Sequence, residues 1–272
     1  MNEPMRVQNL CRYPVKSMLG ETVSSLFVDE GGAAEDRRLA LVDTVTGHVA
    51  SAKQARLWRE LLKCTATADS GHVSIGLPDG TTVAAEDPQI DDLLSRFLGR
   101  AVRLIRQRPD GATLERPDPE GLLELGLDAK VAGRILEIGQ ATPGHSFTDD
   151  APLHAITTAT LDHIGVEALR YRPNLVIETP DGYPSYFENN WLGREVTAGE
   201  VRMRVLDLTP RCVVPTLEHG PLPRAPQALR IPAAENRVAA GSSGVGACAG
   251  AYLVVLTAGV IHVGDRVVVT DA

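Results

Sequence analysis

From Val201 to Leu208 the chain alternates, with Val201, Met203 and Val205 on one side and Arg202 and Arg204 on the other. A side-chain period of two belongs to a β-strand with one buried and one wet face, so this segment requires a sheet with a core beneath it. Cys212 follows shortly after, flanked by Arg211 and by Val213-Val214. With 25 Gly, 18 Pro and only 4% aromatic residues, the composition suits a turn-rich fold of many short elements rather than a bundle of long helices.

The rest of the first half reads the same way. Val23 to Val28 and Leu39 to Val42 are expected as short strands, punctuated by Gly31-Gly32 and Thr46-Gly47. Val73 to Leu77 and Thr81 to Val83 flank Pro78-Asp79-Gly80, the turn chemistry of a hairpin. Asp87-Pro88 opens a helix in which Ile90, Leu93, Leu94, Phe97 and Leu98 share a face, and Gly99 ends it.

Periodicity then weakens, and Pro109, Gly111, Pro117, Pro119, Pro143 and Gly144 interrupt the stretch from Gln107 to Thr148. Residues 1–110 are therefore expected as a mostly β N-terminal domain, 111–148 as a linker or flap, and 149–272 as a second domain. Helical spacing inside 121–138 leaves the flap's ends open. The second half begins with a strand at Leu153 to Ile156, and Thr157-Thr158 stands where a helix N-cap belongs. A strand from Asn174 to Glu178 and a compact Phe187 to Trp191 segment follow. The expected class is mainly β with α (α+β), with few short helices.

The chain carries a net charge of −8, which argues against nucleic-acid or anionic-membrane binding and leaves any anionic ligand to a local Arg/Lys cluster. From Val238 to Gly264 no charged residue occurs, but six glycines break the run. It is read as a Gly-rich loop at 241–250, a buried strand, a turn at Ala258-Gly259 and a second strand, not a membrane span. The start has no apolar core of the secretory kind, so a cytoplasmic location is expected. Cys11, Cys64, Cys212 and Cys248 are widely separated and form no C-x-x-C pair, so neither a zinc ribbon nor an iron–sulfur cluster can be drawn through them.

Cys212 has two readings. It is a small buried apolar residue, or it is a thiolate whose ionised form the neighbouring guanidinium favours and which can attack carbon or bind a soft metal. The wider pattern bears on the choice. Tyr13-Pro14-Val15-Lys16-Ser17, Asp36-Arg37, Tyr171-Arg172-Pro173-Asn174, Arg211-Cys212 and Gly250-Ala251-Tyr252, taken in that order, resemble the MOSC superfamily. The order is most similar to the amidoxime-reducing branch, in which an N-terminal β-barrel domain packs on a molybdenum-cofactor-binding MOSC β-barrel domain.

That resemblance implies a molybdopterin-type molybdenum cofactor, with Cys212 as both metal ligand and catalytic sulfur. Lys16, Ser17, Arg37, Thr157, Thr158, Arg172, Asn174, Arg211 and Tyr252 would line the cofactor. It further implies an oxidoreductase acting on N-hydroxylated or related N-oxygenated small molecules. Electrons would come from a separate flavin or iron–sulfur protein, with no nucleic acid or membrane as partner. Pro210 departs from the pattern by removing a backbone N–H beside the Arg-Cys pair. Three rivals remain: a sulfur or cofactor carrier of the same superfamily without turnover, a cysteine hydrolase using His219 as base on a mobile Pro-rich loop, and an interaction module.

Overall fold

The computed structural model describes residues 4–241 and 244–270. Val201–Pro210 is a strand with a buried–exposed alternation over its first six residues. It pairs antiparallel with Glu195–Ala198 on one side and with the long strand Gly244–Thr257 on the other. Val201, Met203 and Val205 sit in one apolar cluster with Trp191, Leu253, Leu10 and Ile177. Each such side chain contributes about 2 kcal/mol relative to exposure. On the opposite face Arg202 and Arg204 reach Glu195 in solvent at 2.7 and 3.7 Å, contacts of little energetic weight.

These strands belong to a nine-stranded sheet. It runs from Val267–Thr270 through Glu195–Ala198, Val201–Pro210 and Gly244–Thr257 to Leu153–Thr157, Leu175–Glu178, Arg6–Arg12 and Glu21–Val23, and the ninth strand, Arg237–Ala240, pairs with Gly244–Thr257 off this path. Leu153–Thr157 and Leu175–Glu178 pair in parallel, joined by the helix Thr158–Ile164 and a 3₁₀ turn at Ala168–Tyr171. The chain's first strand, Arg6–Arg12, is therefore hydrogen-bonded to Leu175–Glu178, and Ser25–Asp29 pairs with Gly259–His262. The two halves of the sequence are interleaved: Leu10, Leu26 and Val28 are buried in the core of the second half.

A second core gathers Val15, Met18, Leu39, Leu41, Trp58, Leu61, Ile75 and Leu94. Around it lie the pair Ala40–Asp43 with Val102–Ile105, the three-stranded sheet Thr65–Asp69, His72–Gly76 and Thr82–Ala84, and the helix Ile90–Leu98. That helix buries Ile90 and Leu94 and stops at Gly99, whose φ of 63° is the left-handed cap that glycine adopts without steric cost.

Two segments differ from the sequence reading. Residues 111–148 carry a hairpin, Thr113–Pro117 with Gly133–Glu137, and a helix at Pro119–Leu125 capped by the Asp118 side chain. Leu114, Ile138 and Phe147 are buried with Ala40 and Val49, so this stretch packs on the body despite its weak periodicity. The helical spacing extended past Leu125 because Leu127, Val131, Ile135 and Leu136 mimic it; Ile135 and Leu136 lie on a strand instead. The Gly-rich stretch 241–250 is mostly strand: Arg237–Ala240 pairs with the beginning of Gly244–Thr257, while Ser242 and Ser243 lie outside the described residues. Glycines are spaced there along a ladder, where they read as a loop only in isolation. Among the described residues no helix is long and apolar enough to cross a membrane.

Candidate functional site

Past the end of Val201–Pro210 the Arg211 N–H donates to Ala247 O at 2.8 Å, tying the turn to the long strand. Cys212 emerges there half-buried, against Val213, Val214 and Leu217. It opens onto a cavity of about 460 Å³ that also holds Lys16, Ser17, Arg37, Arg172, Asn174, Arg211 and Tyr252. Eight cationic side chains and four carboxylates line this space, a local positive excess in a chain of net charge −8.

The cationic end is built on strained backbone. Ser17, Arg37 and Arg172 all adopt positive φ, at 66°, 47° and 54°, a conformation that costs a non-glycine residue about 1 kcal/mol or more and persists where the surroundings impose it. The buried ring of Tyr13 carries the Arg37 guanidinium at 4.7 Å and that of Arg172 at 4.3 Å. Arg37 Nη1 donates to Asp36 at 2.5 Å and Nη2 to Arg172 O at 3.0 Å. Arg172 Nη1 donates to Met18 O at 2.5 Å, but its Nη2 is buried without a partner. A buried charged donor left unpaired is costly, so this nitrogen marks a place for an anion.

Beside it Lys16 Nζ donates to Phe147 O and to Asp149, both at 2.7 Å, and Lys53 reaches the other Asp149 oxygen at 3.0 Å. Burial lowers Lys16 to about 8, and Asp149 opposes that shift without cancelling it. Burial works against ionised Asp149, yet Lys16 and Lys53 together hold its carboxyl well below the usual range. Burial, then the Arg37 charge, lowers Arg172 to about 10.

Near the sulfur, Arg211 lies over the Tyr171 ring at 4.7 Å and donates from Nε to Ala249 O at 2.7 Å and from Nη2 to His154 Nε2 at 2.5 Å. His154 is buried, and desolvation followed by the Arg211 charge pushes its imidazole well below 6.5, so it stays neutral and accepts. Tyr252 meets the His154 ring edge-on at 5.9 Å. Asn174 lines the cavity, but its side chain serves the backbone: Oδ1 accepts from the His154 N–H at 3.1 Å and Nδ2 donates to Cys11 O at 3.3 Å.

Thr157 and Thr158 do not reach the cavity. Thr157 is the helix N-cap, as its position predicts, but its hydroxyl faces inward to Thr160 and the buried Glu188 at 3.1 and 3.0 Å. Thr158 pairs with Thr179 at 3.0 Å. Both hydroxyls are consumed by the fold, so the resemblance overextends there. His219 is likewise not on a mobile loop: it is fully buried, its Nδ1 donates to Leu217 O at 3.0 Å, and it lies outside the cavity that holds Cys212. Among the residues missed from sequence are His154, Lys53, Arg116 and Arg134. His154 read as one more strand residue, and the other three stand in stretches without a motif, placed at the cavity by pairing and packing alone.

The N-terminal stretch 4–101 matches the MOSC N-terminal beta barrel domain, and residues 142–268 match the MOSC domain. This chain belongs to the MOSC superfamily. MOSC domains are associated with molybdenum-cofactor binding. A comparison with curated proteins found no match. Among solved structures, the YUAD protein from Bacillus subtilis covers 100% of this chain and 98% of its own at 11% identity and a TM-score of 0.44. YiiM from Geobacillus stearothermophilus covers 61% of this chain and 75% of its own at 17% identity and a TM-score of 0.30.

The residues present in this MOSC chain suit such a cofactor. Lys16, Arg37 and Arg172, the last with its orphaned Nη2, match an anionic phosphate end, and the half-buried Cys212 sulfur suits a soft metal. The buried Thr209 hydroxyl, also on the cavity wall, lacks a partner as well. Among the described residues no group of three or more His, Cys, Asp or Glu side chains could hold a metal. A metal at Cys212 would thus take one protein ligand and draw the others from its organic partner.

Proposed function

We propose that this protein is a molybdenum-dependent oxidoreductase that reduces N-hydroxylated or related N-oxygenated small molecules. The observation that carries the reading is the meeting of Cys212 with Lys16, Arg37 and Arg172 around one cavity, although they lie far apart in sequence. When bound, a molybdopterin-type cofactor supplies two-electron chemistry that removes an oxygen atom from the substrate.

The chain's own residues orient and shield. Lys16, Arg37 and Arg172 hold the anionic end, with Ser17 beside them. Cys212 fixes the metal end by its sulfur, and Arg211, clamped between Ala249 O and His154, sets a rigid positive charge next to it. The floor around the sulfur is apolar, formed by Val213, Val214 and Leu217, which limits water there.

All four cysteines are free, two of them buried, and no set of them can hold a cluster. Electrons therefore come from a separate flavin or iron–sulfur protein. The test is reduction of an aryl amidoxime to the amidine by cofactor-loaded protein with a chemical reductant, wild type against Cys212→Ala. Turnover by the wild type alone supports the reading, and turnover unaffected by the substitution overturns it.

A further inference from the structure

A second cavity, of about 320 Å³, adjoins the first, and the two share Arg116, Arg134, Pro210 and Arg211. Pro210 and Arg211 immediately precede Cys212, whereas Lys16, Arg37 and Arg172 take no part in the second lining. This space therefore adjoins the sulfur end of the site, not the cationic end assigned to the cofactor's phosphate. A molecule approaching the sulfur from here meets the hairpin Thr113–Pro117 and Gly133–Glu137.

Arg116 and Arg134 are direct partners across that hairpin. By the two-residue period they share the face of Leu114 and Leu136, which pack into the body. Like charges set opposite each other destabilise a strand pair, and here Arg134 is exposed while Arg116 is half-buried. The carboxylates of the second cavity do not relieve the conflict. Asp118 accepts from the Gly121 N–H at 2.8 Å as a helix cap, and Glu120 is held by Arg237 at 2.5 Å. Arg116 makes one weak hydrogen bond, to Arg211 O at 3.4 Å, and among the described residues neither arginine forms an ion pair. Two arginines paired across the hairpin, both lining the boundary shared by the two cavities and neither held in an ion pair, offer guanidinium forks suited to a planar oxyanion.

We infer that Arg116 and Arg134 bind a carboxylate on the substrate, so that the substrate class is N-oxygenated compounds carrying an anionic group remote from the reacting N–O bond. This rests on the function proposed above and narrows it.

The test is calorimetric titration of the full, cofactor-loaded chain with an aryl amidoxime bearing a para-carboxylate and with its uncharged parent. Wild type should bind the carboxylate compound about 10-fold tighter than the parent, and Arg134→Gln should bring that ratio close to unity. Arg134 is exposed and touches no acid, so Arg134→Gln keeps the fold even if the Arg116→Gln/Arg134→Gln double variant does not. Equal affinities in the wild type, or a ratio that survives in Arg134→Gln, overturn the inference. Pyrophosphate forms a second arm: if Arg134→Gln loses pyrophosphate binding but keeps the carboxylate preference, the pair serves a phosphate group and the inference fails. Affinity is read without turnover. A chain that prefers the carboxylate yet reduces neither compound refutes only the enzymatic reading, and one that reduces both but binds them equally refutes only this one.

Discussion

Arg211 donates from Nη2 to the Nε2 of His154 at 2.5 Å, two buried side chains far apart in sequence. The contact requires an unprotonated Nε2, and burial with the adjacent guanidinium enforces it. Nitrogen-15 NMR of the imidazoles should therefore show His154 still neutral at pH 6.5, where an ordinary imidazole is half charged. A His154 titration centred near its ordinary value of 6.5 would contradict this geometry.

A second histidine sets the acid limit of the fold. Burial lowers His219 to about 4 from 6.5. Below 6.5 the unfolded chain binds a proton that the native state refuses, so stability falls as pH drops from 6.5 towards 4. Chemical denaturation should show the wild type losing about 2 kcal/mol more than His219→Gln between pH 7 and pH 5. Parallel losses in the two proteins would show that His219 is not the group responsible.

Gly250 sits at φ 81°, and a Cβ there would lie 2.5 Å from His154 Nε2 and 2.6 Å from Ala155 O. Its N–H is held by Glu188 Oε1 at 3.1 Å, so the backbone cannot swing aside without breaking a buried hydrogen bond. Gly250→Ala should cost about 3 kcal/mol or more in urea denaturation. A loss under about 0.5 kcal/mol, the scale of a neutral surface change, would mean the clamp is soft.

Much of this was legible from residues. The alternation of Val201 to Leu208 predicts the strand and its two faces, because a period of two has one structural solution. The motifs around Lys16, Arg37, Arg172, Asn174, Arg211, Cys212 and Tyr252 point to residues that the fold brings to one cavity. What escaped depends on pairing across the chain. Arg116 and Arg134 become neighbours only through hairpin register, and Lys53 meets Lys16 only across Asp149. Thr157 shows the converse: its cap role is local and readable, but the direction of its hydroxyl is set by Glu188, a residue distant in sequence. The hydrogen bonding that binds Arg6–Arg12 to the second half is equally invisible in composition.

Lys16 gives the site a pH signature. Buried at about 8, it loses its charge as pH rises through that value, while an anion bound beside it favours the charged form. Pyrophosphate affinity should therefore weaken between pH 7 and pH 9, by up to about 10-fold per pH unit above 8, and Lys16→Arg should flatten the profile. A wild-type affinity constant over that range would place the anion away from Lys16.

The central claim is that one protein sulfur, Cys212, anchors molybdenum while cations elsewhere in the cavity hold the organic part. Molybdenum and pterin should be quantified together in wild type and Cys212→Ala, each expressed with cofactor synthesis intact. The account predicts stoichiometric molybdenum in the wild type and little in the variant, with pterin fluorescence retained because Lys16, Arg37 and Arg172 are untouched. Equal molybdenum in the two proteins would contradict it.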